Sequence, residues 1–198
     1  MVMKKALLAT LVVSSFMSGS FAYADSQTVA IGYAQSKVQN FKNIRGVNLH
    51  YRYEWDSPVS IIGSFTYMKG NESNGGTFKD RMAEDVAWKS NIDLKYYSLM
   101  VGPAYRINNY VSVYGLLGFA HSKVNGYFNR INRKQNGGIV TYTEKADKKS
   151  TNLAYGAGVE VNPIQNLSLY AGYEGSSVKD YDKSHGINGF NIGVGYRF

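Results

Sequence analysis

The sequence predicts an all-β fold: an eight-stranded antiparallel transmembrane β-barrel, wound as an up-and-down meander. Three observations carry that prediction. From Phe190 to Phe198 every even-numbered residue is apolar or aromatic and every odd one is small or polar, the period-two pattern of a strand with two unlike faces. The polar face holds Gly, Asn and Arg, which cannot fill the interior of a soluble barrel but suit a polar lumen behind a lipid-facing wall. Finally, the connections between candidate strands alternate long and tight, which places all long links at one end of an antiparallel barrel and all short ones at the other.

Residues 1–24 read as a cleavable signal peptide: Lys4 and Lys5 precede an apolar run from Ala6 to Phe16, and Ala22, Tyr23 and Ala24 form a small-x-small cleavage site. The mature chain, 25–198, is expected to be one barrel domain exported to the cell outer membrane. Nothing in it approaches the ~20 continuous apolar residues of a membrane helix. The 198-residue sequence has no cysteine, which excludes disulfides and thiolate metal sites, and its 21 glycines and 17 tyrosines against 3 prolines suit closely paired strands with aromatic anchors. Removing the two signal lysines from the formal net charge of +8 leaves a basic mature chain.

The first strand is expected at 27–36, with Val29, Ile31 and Tyr33 outward. The second, 46–54, alternates most clearly, setting Val47, Leu49, Tyr51 and Tyr53 against Asn48, His50, Arg52 and Glu54. No soluble core would accept that inner set unpaired. A turn at Trp55, Asp56, Ser57 and Pro58 leads to strand three, 59–68, and a polar stretch to strand four, 94–106. Ile107, Asn108 and Asn109 turn the chain into strand five, 110–122; strand six covers 152–162, and a turn over 163–166 opens strand seven, 167–176. The terminal strand should pair with the first, because an open edge so patterned would aggregate. Each tight turn is followed by an apolar-Ser-apolar triplet, as in Val59, Ser60 and Ile61, so one hairpin design is reused. Aromatics collect near strand ends, with Tyr51, Tyr53, Tyr105, Tyr196 and Phe198 at the short-turn rim and Tyr33, Tyr67, Tyr97, Phe119, Tyr173 and Phe190 at the other.

Four extracellular loops are expected, at about 37–45, 69–92, 123–149 and 179–186. The first holds Lys37, Lys42 and Arg45 and no acid. The third holds Lys123, Arg130, Arg133, Lys134, Lys145, Lys148 and Lys149 against Glu144 and Asp147. The surface ligand-binding candidates are Lys42, Arg45, Tyr127, Phe128, Arg130, Arg133 and Lys134, cations with aromatics beside them that suit a sulfated glycosaminoglycan or matrix protein. A basic rim also suits lipopolysaccharide phosphates. The strand-like run Ile139 to Thr143 should extend strand six above the membrane, where an exposed edge could recruit a partner's strand.

Inside, His50, Arg52, Glu54, Arg106, Glu160, Glu174 and Arg197 are expected to form an ion-pair network that plugs the lumen, since eight strands leave a bore that side chains fill. Catalysis is not indicated. His121 and Ser122 are adjacent and so point to opposite faces, His50 has Asn48 and Arg52 as same-face neighbours, and His185 falls in a loop without a nucleophilic serine motif. No catalytic, cofactor-binding or metal residues are assigned.

Gly32-Tyr33-Ala34-Gln35-Ser36, Tyr51-Arg52-Tyr53-Glu54, Gly63-Ser64-Phe65, Gly102-Pro103-Ala104-Tyr105-Arg106, Gly156-Ala157-Gly158 with Asn162-Pro163, and Gly193-Val194-Gly195-Tyr196-Arg197-Phe198 are the motifs of a known pattern. On these, spread over all eight strands, the chain resembles the Ail, PagC, Lom and OmpX family of enterobacterial outer-membrane proteins. The resemblance implies a monomeric barrel with no cofactor, acting without enzymatic activity in host adhesion, serum and complement resistance or survival inside phagocytes. The partners it implies are outer-membrane lipid and lipopolysaccharide, and host extracellular matrix, glycosaminoglycan or complement regulators. Nucleic acid is excluded by location. The alternative is a structural envelope protein that stabilises lipopolysaccharide packing; a lipid A-modifying barrel enzyme is a third reading.

Overall fold

A computed structural model describes residues 26–39, 41–79, 85–134, 137–180 and 183–198. The expected signal peptide lies outside the described residues. Eight strands follow one another: β1 Ser26–Val38, β2 Asn43–Glu54, β3 Val59–Lys79, β4 Asp85–Arg106, β5 Val111–Arg133, β6 Ile139–Ile164, β7 Leu167–Asp180 and β8 Lys183–Arg197. Each pairs antiparallel with its neighbours in sequence, and β8 returns to β1 to close the barrel. Closure extends to the last residue, because Gln27 and Phe198 exchange backbone hydrogen bonds of 2.8 and 2.9 Å.

Burial is inside out, as the alternation requires. In β2, Asn48, His50, Arg52 and Glu54 are all buried, whereas Val47, Leu49 and Tyr51 stand exposed. Leu99, Leu117, Phe119 and Leu153 are each more than 60% exposed, in a continuous apolar band that only lipid would cover. Large side chains fill the middle of the bore by lying over glycines of the neighbouring strands, Tyr114 over its partner Gly158 and Tyr170 over its partner Gly193. A Cβ on Gly158 or Gly172 would overlap the Tyr114 hydroxyl, and one on Gly193 would overlap the Tyr170 ring.

The strands are longer than the sequence pattern suggests. Two of the expected loops, 69–92 and 123–149, are mostly sheet: β3 pairs β4 as far as Lys79↔Asp85, and β5 pairs β6 as far as Arg133↔Ile139. Because β4 also pairs β5 out to Asp85↔Arg133, four strands leave the barrel as one projecting sheet. The first and fourth links shrink in the same way, and His185, expected in a loop, lies in β8. The physical reason is the change of solvent. Beyond the lipid the outward face meets water and turns polar, so the apolar outward set that marks a membrane strand ends while the hydrogen-bond ladder continues and the inward face still buries Val86 and Leu94.

Candidate functional site

The lumen divides the expected inner set into three parts. Glu54 is the centre of the first. It faces Arg52 Nη2 at 2.9 Å and accepts from Arg197 Nε at 2.7 Å, and Arg106 Nη2 also reaches it. Arg52 extends the chain by donating through Nη1 to Glu160 at 3.2 Å and through Nε to Ser60 Oγ at 2.9 Å. Arg52 and Glu54 share a strand face because they are two residues apart; Arg106, Glu160 and Arg197 arrive from the short-turn ends of β4, β6 and β8.

Glu174 stands apart from this cluster. It accepts hydrogen bonds of 2.7 Å from the hydroxyls of Thr66 and Tyr96, and among the described residues no cation forms a salt bridge with it. His50 is not an ion-pair member either. Its ring stacks on Tyr170 at 4.1 Å between centroids and meets the edge of Tyr114 at 5.5 Å, and neither ring nitrogen has a hydrogen-bond partner. Asn48, which the pattern placed inward without a role, joins the walls: it donates to Ser64 at 2.9 Å and Thr66 at 2.8 Å, and accepts from the Tyr170 hydroxyl at 2.7 Å. Three arginines and three glutamates thus occupy the bore, packed among buried His50, Tyr96, Tyr114 and Tyr170.

At the other end the projecting sheet separates residues that sequence reasoning grouped. Strand alternation puts Tyr127 and Arg133 on the outward face, continuous with the lipid-facing wall, and Phe128 and Arg130 on the inward face. Phe128 stacks on Trp88 at 6.5 Å, and the Arg130 guanidinium lies 5.9 Å from the Phe78 ring while its Nε donates to Asn132 at 2.9 Å. Tyr127 accepts a hydrogen bond from Asn129 at 3.1 Å; that bond first, then Thr143, Lys145 and Lys89 nearby, lowers its phenol from the usual tyrosine range. Lys134 sits in the hairpin turn, where Gly137 takes a φ of 81° that other residues adopt only with strain. Lys42 and Arg45 are exposed at the start of β2.

The register also assembles a feature that the sequence did not display. Arg45 faces Lys69, Lys69 faces Lys95, Lys95 faces Lys123, and Lys123 faces Lys149, so five cations line up across five strands on the outward face. Directly below lie Tyr67 and Tyr97, ring centroids 4.9 Å apart, two residues nearer the short-turn end. At ~3.4 Å per residue the row stands about 7 Å beyond that aromatic level. Like charges directly opposite one another destabilise a sheet unless something anionic lies against them.

His121, the outward neighbour of buried Ser122, is hydrogen-bonded to Thr151 at 2.9 Å on the exposed face. No group of three His, Cys, Asp or Glu residues able to hold a metal ion occurs among the described residues.

A closed eight-stranded barrel with an apolar exterior, a side-chain-filled polar lumen and a projecting sheet defines a bacterial outer-membrane surface protein. The comparisons make the assignment specific: the sequence model described as enterobacterial Ail/Lom protein matches residues 2–198, and the chain belongs to that family. It is 44% identical over 197 residues to the virulence membrane protein PagC of Salmonella typhimurium, covering 99% of this chain and 100% of that one. With outer membrane protein X of Escherichia coli it shares 38% identity over 194 residues, covering 97% and 96% of the two chains. Among solved structures it superimposes on Ail, the attachment invasion locus protein of Yersinia pestis, in complex with the heparin analogue sucrose octasulfate. That match has a TM-score of 0.62 at 36% identity and covers 88% of this chain and 99% of Ail. These relatives are named as membrane, virulence or attachment proteins and not as enzymes.

Proposed function

We propose that this chain is a non-enzymatic attachment factor that binds sulfated polyanions of the host through the outward face of its projecting sheet, with serum resistance as the further consequence of coating that face. One observation carries the reading. On the outward face between Lys69 and Lys149 stand Lys69, Lys79, Lys89, Lys95, Lys123, Arg133, Lys145 and Lys149 against Asp85, Asp93 and Asp147, a surplus of five cations. The Ail complex with a heparin analogue supports it, since a relative of the same fold takes a ligand of that chemistry. Two free edges add a second means of attachment. β2 pairs β3 only as far as Lys69, and β6 pairs β7 only from Tyr155, so β3 above Lys69 and β6 before Tyr155 each keep one side without a backbone-paired neighbour. The test is attachment of cells expressing the protein to host cells before and after enzymatic removal of sulfated glycosaminoglycans. Removal should abolish most attachment, and raising salt should weaken it, as exposed charges are screened over ~8 Å at physiological ionic strength. Attachment indifferent to both would refute the reading.

The cation row favours a second role, in the envelope itself. Arg45, Lys69, Lys95, Lys123 and Lys149 lie just beyond the aromatic level, where lipopolysaccharide phosphates would meet them. Acidic replacements at Lys95 and Lys123 should lower the unfolding temperature in bilayers containing lipopolysaccharide and leave it nearly unchanged in phosphatidylcholine. Equal effects in the two bilayers would remove this role.

A further inference from the structure

The two open edges of the projecting sheet match each other. β3 over 73–79 and β6 over 139–145 take no backbone hydrogen bond on their open side from any described residue, and every position in both stretches except Val140 is exposed. Edge strands are ordinarily blunted by proline, by a bulge or by charge. Neither stretch contains proline, and the ladders with β4 and β5 run to Lys79↔Asp85 and Arg133↔Ile139 without a shift. No charged residue falls between Ser73 and Phe78 or between Ile139 and Thr143. Large side chains stand bare there, with Phe78 48%, Tyr142 59% and Ile139 64% exposed. Such an edge is a template for another strand.

Strand direction selects the occupant. The membrane holds every copy upright, with β3 running outward from its short turn and β6 running back toward the lipid. β3 of one copy therefore meets β6 of another antiparallel, whereas β3 against β3 or β6 against β6 would be parallel, the slightly less stable arrangement. Setting the tips level, Lys79 beside Ile139, keeps inward residues with inward and outward with outward, as period two demands. Thr77 then faces Thr141, Phe78 faces Val140, Asn74 faces Glu144 and Ser73 faces Lys145, and no like charges are opposed. β7 pairs β6 only up to Tyr155↔Gly175, below this stretch, so its backbone does not occupy the open side.

We propose that copies of this chain associate side by side in one membrane, β3 of one adding to the projecting sheet of the next along β6. The two edges differ, so the contact runs head to tail and builds rows of copies and not closed pairs. The monomer that the family resemblance implies would leave both edges bare. Backbone groups supply the contact, which therefore stands apart from polyanion binding on the outward face.

The chain has no cysteine, so introduced thiols report this contact alone. Thr77→Cys and Thr141→Cys variants carrying different epitope tags are co-expressed in one outer membrane and mildly oxidised. Within one copy the two positions lie three strand spacings apart, about 14 Å along the sheet, too far for a disulfide. A mixed disulfide in excess of either self-linked product is the expected result. Ser73→Lys added to the Thr77→Cys variant sets a cation opposite Lys145 and should lower the mixed yield roughly threefold, and Lys145→Glu added to the Thr141→Cys variant should restore it. All four positions are exposed, so the barrel keeps its fold. Self-linked Thr77→Cys in excess would mean random collision or inverted copies, absence of the mixed product would leave the edges to a strand of the host, and a yield that the charge exchange does not restore would mean another register. Each of these would overturn the proposal.

Discussion

The same β-sheet lives in two solvents, and the comparison of its two parts explains most of the molecule. Below the row from Arg45 to Lys149, one face meets lipid and the other a packed lumen, so each position tolerates one kind of side chain. Above it, the outward face of β3 to β6 meets water and carries Lys, Asp, Asn and Thr, while the inward face carries apolar and aromatic residues such as Val86, Trp88, Leu94 and Phe128. The lower part is therefore constrained by burial and the upper part mainly by its backbone ladder. Substitutions should be costly in the first and inexpensive in the second, which leaves the second free to acquire ligand contacts.

The largest effect should come from the lumen. Glu54→Ala leaves Arg52, Arg106 and Arg197 facing one another without their shared carboxylate, and should cost about 3 to 5 kcal/mol in urea unfolding from bilayers. Next comes the lipid face. Leu117→Arg should cost about 2 to 4 kcal/mol if that position lies near mid-bilayer. The same arginine at Thr141, on the outward face of the projecting sheet, should fall within about 0.5 kcal/mol of the parent protein. A similar cost at both sites would erase the distinction between the two regions. A smaller change is expected at Glu174→Gln. It keeps the shape but replaces one acceptor by a donor facing the Thr66 and Tyr96 hydroxyls, for about 1 to 3 kcal/mol. In planar bilayers the parent protein should show no steady single-channel conductance, because His50, Tyr114 and Tyr170 close the bore; steady current would contradict the packed lumen.

The contrast between regions also marks what the sequence could reveal. Alternation exposed every membrane strand, because lipid and lumen demand opposite residue types at consecutive positions, and it separated Leu49 from His50 and Leu117 from Leu116 without coordinates. It fell silent at Lys69 and Lys123, where the lipid ends, and so the projecting strands read as loops. Had they been recognised as strands, the parting of Tyr127 from Phe128 would have followed at once. The cation row is of another kind. Its members are spaced by 24 to 28 residues and meet only through cross-strand register, which a single sequence does not encode legibly. The same holds for His50 on Tyr170 and for Glu174 beneath Thr66 and Tyr96, contacts between strands that are not sequence neighbours.

The central claim is that ligand binding belongs to one face of the projecting sheet. Heparin titrated into the protein in lipopolysaccharide-free nanodiscs tests it most directly, with Lys89→Glu, Arg133→Glu and Lys145→Glu combined on the outward face and Phe128→Ala with Arg130→Ala on the inward one. The account predicts that the outward set loses at least about tenfold in affinity at physiological salt while the inward pair stays close to the parent. Loss confined to the inward pair, or none in either, would contradict it.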